Sequence, residues 1–229
     1  MASRPAKKEH SDLRETHITR PRGPAAAAAF AAAALALMLG GCVSLGADAP
    51  DSLLTLTPDV SAPIGMNAAS GGEAEAPAIG VLTPEVPAKL DVLRLPVTVD
   101  ATQIAYLPET YWVEKPARLF RRLIGESLRA RVAEREGSAP LILDSDDTPV
   151  LASVVVRGTL SELGYDAPTS SVVVRFDAVR SNSEGRAITR RFEARETGVL
   201  PETAAIAPAL NRAANRVAGE IADWVLAGD

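Results

Sequence analysis

One sulfur nucleophile, Cys42, and two histidines, His10 and His17, are the residues of this 229-residue chain best suited to covalent or metal chemistry. Their surroundings decide what they can do. The first 23 residues carry six basic side chains (Arg4, Lys7, Lys8, Arg14, Arg20, Arg22) against three acids, and Pro24 to Leu39 then form an almost unbroken Ala/Leu run. A basic stretch followed by a short apolar one is the layout of a bacterial export signal. The run is shorter than the roughly 20 residues that a spanning helix needs, so it is read as a segment removed on export. Leu39, Gly40, Gly41 and Cys42 follow, with an apolar residue, two small residues and then the thiol. This is the order of a bacterial lipobox, whose peptidase needs small side chains at the scissile bond and a cysteine already joined to diacylglycerol. Cys42 is therefore expected to be a lipidation site and the first residue of the mature protein. A single acyl chain binds a bilayer only marginally, whereas two or three hold stably. Arg20-Pro21-Arg22 is not a twin-arginine pair, which favours general secretion. Val43, where enteric lipoproteins kept in the inner membrane carry Asp, implies the outer membrane by resemblance.

Composition excludes several function classes. Residues 1–41 hold six of the 24 basic and three of the 29 acidic residues, so the remainder has a formal charge of about −8. An acidic domain is a poor nucleic-acid binder. Both histidines lie before Cys42, which leaves an exported part with no His and no free Cys. No Ser-His or Cys-His pair, no His-based zinc site and no structural disulfide can then be built. No GxxxxGK[ST] loop is present to hold nucleotide phosphates. A non-enzyme without metal or cofactor is expected. Asp144, Asp146 and Asp147 lack the ligand register and the turn glycine of a calcium loop, and read as an acidic turn.

The elements that must position any site follow from periodicity. Ser52 to Pro58 is a short β-prone run stopped by proline. Residues 59–88 are rich in Pro, Ala, Gly and Ser and read as a flexible insertion. Leu90 to Val99 alternates as a strand, and Gln103 to Leu107 holds a second. Leu119, Phe120, Leu123, Ile124, Leu128 and Val132 recur every three or four residues, which predicts a helix with Pro116 in its first turn and Gly137 past its end. Arg118, Arg121, Arg122, Arg129 and Arg135 lie mostly off that stripe; a basic face for headgroups or an acidic partner is weighed against a solvated face paired with Glu114, Glu126 and Glu134, and the latter is favoured. Leu141 to Leu143 is a short strand. Leu151 to Leu163, Val172 to Arg180 and Ala187 to Arg195 alternate with apolar residues on even numbers, as in an antiparallel meander with one face buried. Ile206, Leu210, Ala214, Val217, Ile221 and Val225 mark a last helix. The expected fold is an α/β two-layer domain, with a mixed, mostly antiparallel sheet of about five or six strands and two amphipathic helices on one face.

Several weak motifs occur in a recognisable order: the lipobox, "LTLTP" soon after it, "QIAY", "YW" and "PARL" opening a helix, "RRFEA" closing the meander, and "IADWV" at the end. In that order the chain resembles the ABC-type transport auxiliary lipoprotein family, the group that includes paraquat-inducible protein C. The resemblance covers Leu53 to Val225 apart from residues 59–88. With the readings above, the expected layout is a signal peptide at 1–41, a lipidated N-terminus and first strand at 42–58, the insertion at 59–88, and, as the resemblance implies, an auxiliary lipoprotein domain at 89–229.

The resemblance further implies a part in an MCE-type phospholipid or sterol transport system. The partners would be a periplasm-spanning MCE-family protein with its ABC permease and ATPase, and the membrane through the lipid anchor, together with a homo-oligomer. The chain would sit at the periplasmic face of the outer membrane. Tyr106, Tyr111 and Trp112 are the candidate partner contacts, because large aromatics just before a helix and off its stripe can anchor an interface. Trp112 and Trp224 are equally placed to plug the two ends of the helix-sheet layer, and for the tryptophans packing is favoured. A lipid-binding carrier, which needs a continuous apolar cavity, and an envelope-assembly lipoprotein are the alternatives in function.

Overall fold

The computed structural model describes residues 52–65, 78–135, 139–145 and 152–228. Cys42 and the lipobox residues Leu39, Gly40 and Gly41 lie outside the described residues, as do Asp146, Asp147 and Gly137. Seven strands form one sheet: β1 (Ile79–Val81), β2 (Arg94–Thr98), β3 (Ile104–Tyr111), β4 (Ile142–Leu143), β5 (Val154–Asp166), β6 (Ser171–Asn182) and β7 (Ala187–Thr197). Among the described residues there are also two α-helices, α1 (Pro116–Ala133) and α2 (Thr203–Leu226), and a 3₁₀ turn at Ala88–Leu90.

The sheet is organised around β5. One side of this strand pairs antiparallel with β6 along nearly its whole length, and β6 pairs antiparallel with β7. The other side is shared. Its first residues, Val154 to Val156, pair in parallel with β1, which also pairs with β4. Its last, Tyr165 and Asp166, pair in parallel with Val97 and Thr98 of β2, and β2 carries β3 as an antiparallel neighbour. At that junction a Cβ on Gly164 would stand 2.5 Å from the Pro96 carbonyl oxygen, so β2 can close on β5 only beside a glycine.

The alternation read from the sequence is seen on β5 to β7, where Val156, Leu160, Val172, Val174, Phe176, Ala178, Phe192 and Ala194 are buried. Ile188, placed on the same face, is exposed instead. A bulge between Leu160 and Glu162 reverses the parity of β5, so Leu163 and Tyr165 are the buried residues beyond it. One unmatched residue flips every following side chain to the other face. Tyr165 then turns its hydroxyl inward and donates to the Val199 carbonyl at 2.8 Å.

Both helices lie against this buried face and against each other. Pro116 takes the first position of α1, where its missing N–H costs nothing, and Phe120 meets Phe176 with ring centroids 5.5 Å apart. The stripe of α2 is lined with Ala209, Ala213, Ala214, Ala218 and Ala222, all buried, and such small residues let the helix backbone approach its neighbours closely. Trp224 packs edge-on to Phe192 at 5.6 Å, and the Arg180 guanidinium beside it donates to the carbonyls of Trp224 and Gly228 at the helix C-terminus. One contiguous core results, holding Leu56, β1, both helices and the inner sheet face.

One expectation is corrected. Residues 59–88 are not insertion throughout: Ile79 and Val81 are core residues on β1, and Leu82 and Glu85 donate backbone N–H groups to β5 carbonyls. Three residues between prolines and alanines carry too little periodicity to announce a strand, but a short apolar run buried between two partners suffices once the sheet exists. The basic face of α1 is paired with acids as favoured from the sequence, and only Arg121 departs from its expected place off the apolar stripe. Arg121 is buried and donates to Thr83 Oγ1 at 2.8 Å, whereas Arg122 pairs with Glu114, and Arg129 with Glu126 and Asp144.

Candidate docking surface and anchor segment

Each sequence-derived contact residue has a definite place on the β2–β3 hairpin and its exit. Arg94 pairs with Tyr111 and Pro96 with Tyr106, with a register shift between them, so the longer β3 must bulge. Within that stretch Glu109 takes a φ of 51°, left-handed backbone that a residue with a side chain adopts at a cost. The bulge brings both tyrosines beside Arg94: Arg94 pairs across the ladder with Tyr111, and its guanidinium lies 4.8 Å from the Tyr106 ring centroid. Tyr106 and Tyr111 are each half-buried, with part of each side chain in solvent.

Trp112 differs. It is 2 % exposed and belongs to the core, the packing reading of this residue, and its indole Nε1 has no hydrogen-bond acceptor among the described residues. The alternation of an extended chain explains the contrast between neighbours, because successive side chains leave opposite faces. Around the tyrosines the hairpin and its flanks carry exposed apolar side chains: Leu53, Leu93, Val99, Ile104 and Val113. Val99 and Ile104 flank the hairpin tip, and Leu53, Leu93 and Val113 lie by its other end, next to Tyr111 in the chain or across the ladder. The hairpin tip is fixed by Asp100, whose carboxylate accepts from the Thr102 N–H and hydroxyl and from Gln103; these bonds hold it below the ordinary aspartate value.

Residues 54–59, N-terminal to β1, are bound to the rest of the domain. Leu54 donates to the Tyr111 carbonyl at 2.7 Å and accepts from Val113 at 2.9 Å, and Leu56 is buried. Beyond it, Thr57 N–H donates to Asn211 Oδ1 and Asp59 N–H to Asn215 Oδ1, both at 2.8 Å, while Asn215 Nδ2 donates to the Thr57 carbonyl. The sequence reading missed these two asparagines. Their four-residue spacing on the polar side of α2 was the available signal, since it puts both amides on one helix face.

Among the described residues, two open clefts have charged linings. A cleft of about 130 Å³ on the uncovered sheet face is lined by Lys89, Glu162, Arg175 and Arg195, and a wider one of about 330 Å³ between α1 and α2 by Arg131, Arg212 and Arg216. Their charges are engaged with each other: Lys89 with Glu162, Arg175 with Glu193, Arg212 and Arg216 with Glu196. Among the described residues no group of three or more His, Cys, Asp or Glu could hold a metal, and no helix is long and apolar enough to cross a membrane.

Residues 59–222 match a family model described as an ABC-type transport auxiliary lipoprotein component. The fold is similar to the crystal structure of a Xanthomonas campestris protein of the DUF330 family, with a TM-score of 0.58 at 17% identity, over 77% of this chain and 95% of that one. A second solved structure, of an uncharacterized protein, has a TM-score of 0.55 at 13% identity, covering 65% of this chain and 92% of the other. None of the curated proteins matches the sequence.

Proposed function

The chain belongs to the ABC-type transport auxiliary lipoprotein family, and from that premise we propose that it is the lipid-anchored, non-catalytic docking component of an MCE-type system moving phospholipid or sterol across the cell envelope. In this reading Cys42 carries the anchor, residues 1–41 are removed, and the domain stands on the periplasmic face of the outer membrane. There it receives a periplasm-spanning MCE protein whose permease and ATPase act from the inner membrane. The family match over residues 59–222 carries the proposal. The β2–β3 edge supplies the surface: Tyr106 and Tyr111 offer large, partly exposed side chains; the Arg94 guanidinium lies over the Tyr106 ring, and the neighbouring chain positions Leu53 and Val113 are exposed. Rigid aromatics with apolar neighbours are the usual carriers of interface energy. Tethering adds to this, because an anchored domain meets its partner at a raised effective concentration.

The test is affinity purification of tagged full-length protein from crosslinked native membranes. Recovery of an MCE protein with its permease or ATPase is expected. Recovery of barrel-assembly or lipopolysaccharide-export components instead would assign the domain to envelope assembly.

A further inference from the structure

The anchor segment does not simply lead away from the domain; it is read by the domain. We infer that residues 54–62 form a clamped strap that sets the length of the membrane tether, with Asn211 and Asn215 as the clamp. The inference rests on the anchoring reading of Cys42.

Three observations carry it. The strap is held mostly through its backbone: Asn215 uses both ends of its amide, accepting from Asp59 N–H and donating to the Thr57 carbonyl, and Asn211 accepts from Thr57 N–H. Asn215 Nδ2 also donates to the Asn211 carbonyl at 2.9 Å, which orients the amide before the strap arrives. Second, the strap is secured at both ends, by the Leu54 pairing with Tyr111 and Val113 and by Ala62 N–H donating to Glu126 Oε1 at 2.9 Å on α1. Third, Leu56 enters the core between these points. Backbone recognition at both ends of a short run, with one buried side chain, is how a domain holds an extended peptide in register.

Covalent geometry gives the consequence. With the strap docked, the covalent chain from Cys42 to Leu54 spans at most about 40 Å. With the strap released, the corresponding limit from Cys42 to Ile79 on β1 is about 130 Å. The clamp therefore shortens the longest tether that covalent geometry allows about threefold.

The experiment uses the full-length lipidated protein, purified from membranes into phosphatidylethanolamine/phosphatidylglycerol bilayers, and compares it with Asn211→Ala/Asn215→Ala and with Leu56→Ser. Hydrogen exchange should be slow at Thr57, Asp59 and Ala62 in the unaltered protein and at least tenfold faster in both variants, with β5 and β6 unchanged. Neutron reflectometry on a supported bilayer should show a protein layer whose near edge lies within about 40 Å of the bilayer, and which becomes thicker when the clamp is removed. Fast exchange in the unaltered protein, or a layer that the clamp variants leave the same, overturns the strap while the anchor stands. Absence of lipid on Cys42 by intact mass overturns the anchoring reading and the tether with it.

Discussion

Tyr111 and Trp112 are consecutive residues with opposite fates, and replacing each by alanine separates docking from packing. Trp112 is 2 % exposed, in the core cluster, and its backbone lies between Leu54 and the β2–β3 hairpin. Removing a buried tryptophan costs about 3–5 kcal/mol. For a domain of this size that lowers the melting temperature by about 10 °C, at about 2–4 °C per kcal/mol. Tyr111 keeps its backbone bond to Leu54 whatever its side chain, and trimming a half-exposed ring costs about 1 kcal/mol. Trp112→Phe supplies a third point. The indole N–H has no acceptor among the described residues, so losing it removes a desolvation penalty that offsets part of the lost volume, and the change should cost less than about 1.5 kcal/mol. Calorimetry of all three, paired with recovery of the transport partner from crosslinked membranes, gives the answer. Tyr111→Ala should melt near the unaltered protein and recover less partner. Equal melting losses at the two positions, or full partner recovery by Tyr111→Ala, would refute the division of labour.

Cys42→Ser should move the protein from the membrane fraction to the soluble periplasmic fraction without changing its melting, and retention in the membrane would show that another element anchors it. Gly158→Ala should destabilise by about 1–3 kcal/mol or more, since the added Cβ would stand 2.1 Å from the Asp177 carbonyl oxygen across the β5–β6 ladder; unchanged thermal unfolding would contradict that spacing. At the hairpin tip, the Thr102 backbone N–H, then its hydroxyl and Gln103, lower the Asp100 value. A lowered carboxyl contributes stability that is complete above its unfolded value and is lost as pH falls through the folded one. Thr102 amide protection, followed by NMR, should therefore fall on acidification below the ordinary aspartate range, and Asp100→Asn should remove that pH dependence.

The two helices and the three long strands were legible because each repeats its apolar residues often enough to fix a period, as Leu119 to Val132 and Val172 to Ala178 do. Pro116 even marked the residue at which α1 begins. The rest depended on partners distant in sequence. Ile79–Val81 becomes a strand only because Val154–Val156 and Ile142 lie on either side of it, and parallel pairing leaves no turn signature to read. The bulge at Leu160 and Glu162 was invisible because Ser161 suits either parity. For the candidate docking residues, aromatic residue type pointed to the β3 exit and packing was favoured for Trp112, while the hairpin register supplied the geometry that leaves Tyr111 partly exposed beside it. The asparagine clamp carried a four-residue spacing and nothing to say what it would hold.

The strand that two parallel neighbours share has a consequence for the order in which the molecule can assemble. Strands β5, β6 and β7 and helix α2 are contiguous in sequence and can pair as they emerge, while β1 and the β2–β3 hairpin precede the edge on which they must dock. A chain made and exported from its N-terminus therefore delivers Ile79, Val81, Leu95 and the apolar stripe of α1 before any surface exists to cover them. Closing such long-range parallel contacts is slow, and the exposed half must wait for it. A circular permutant beginning at β5 would reverse that schedule, producing the template before its guests, and should fold faster with less need of protection from holding chaperones.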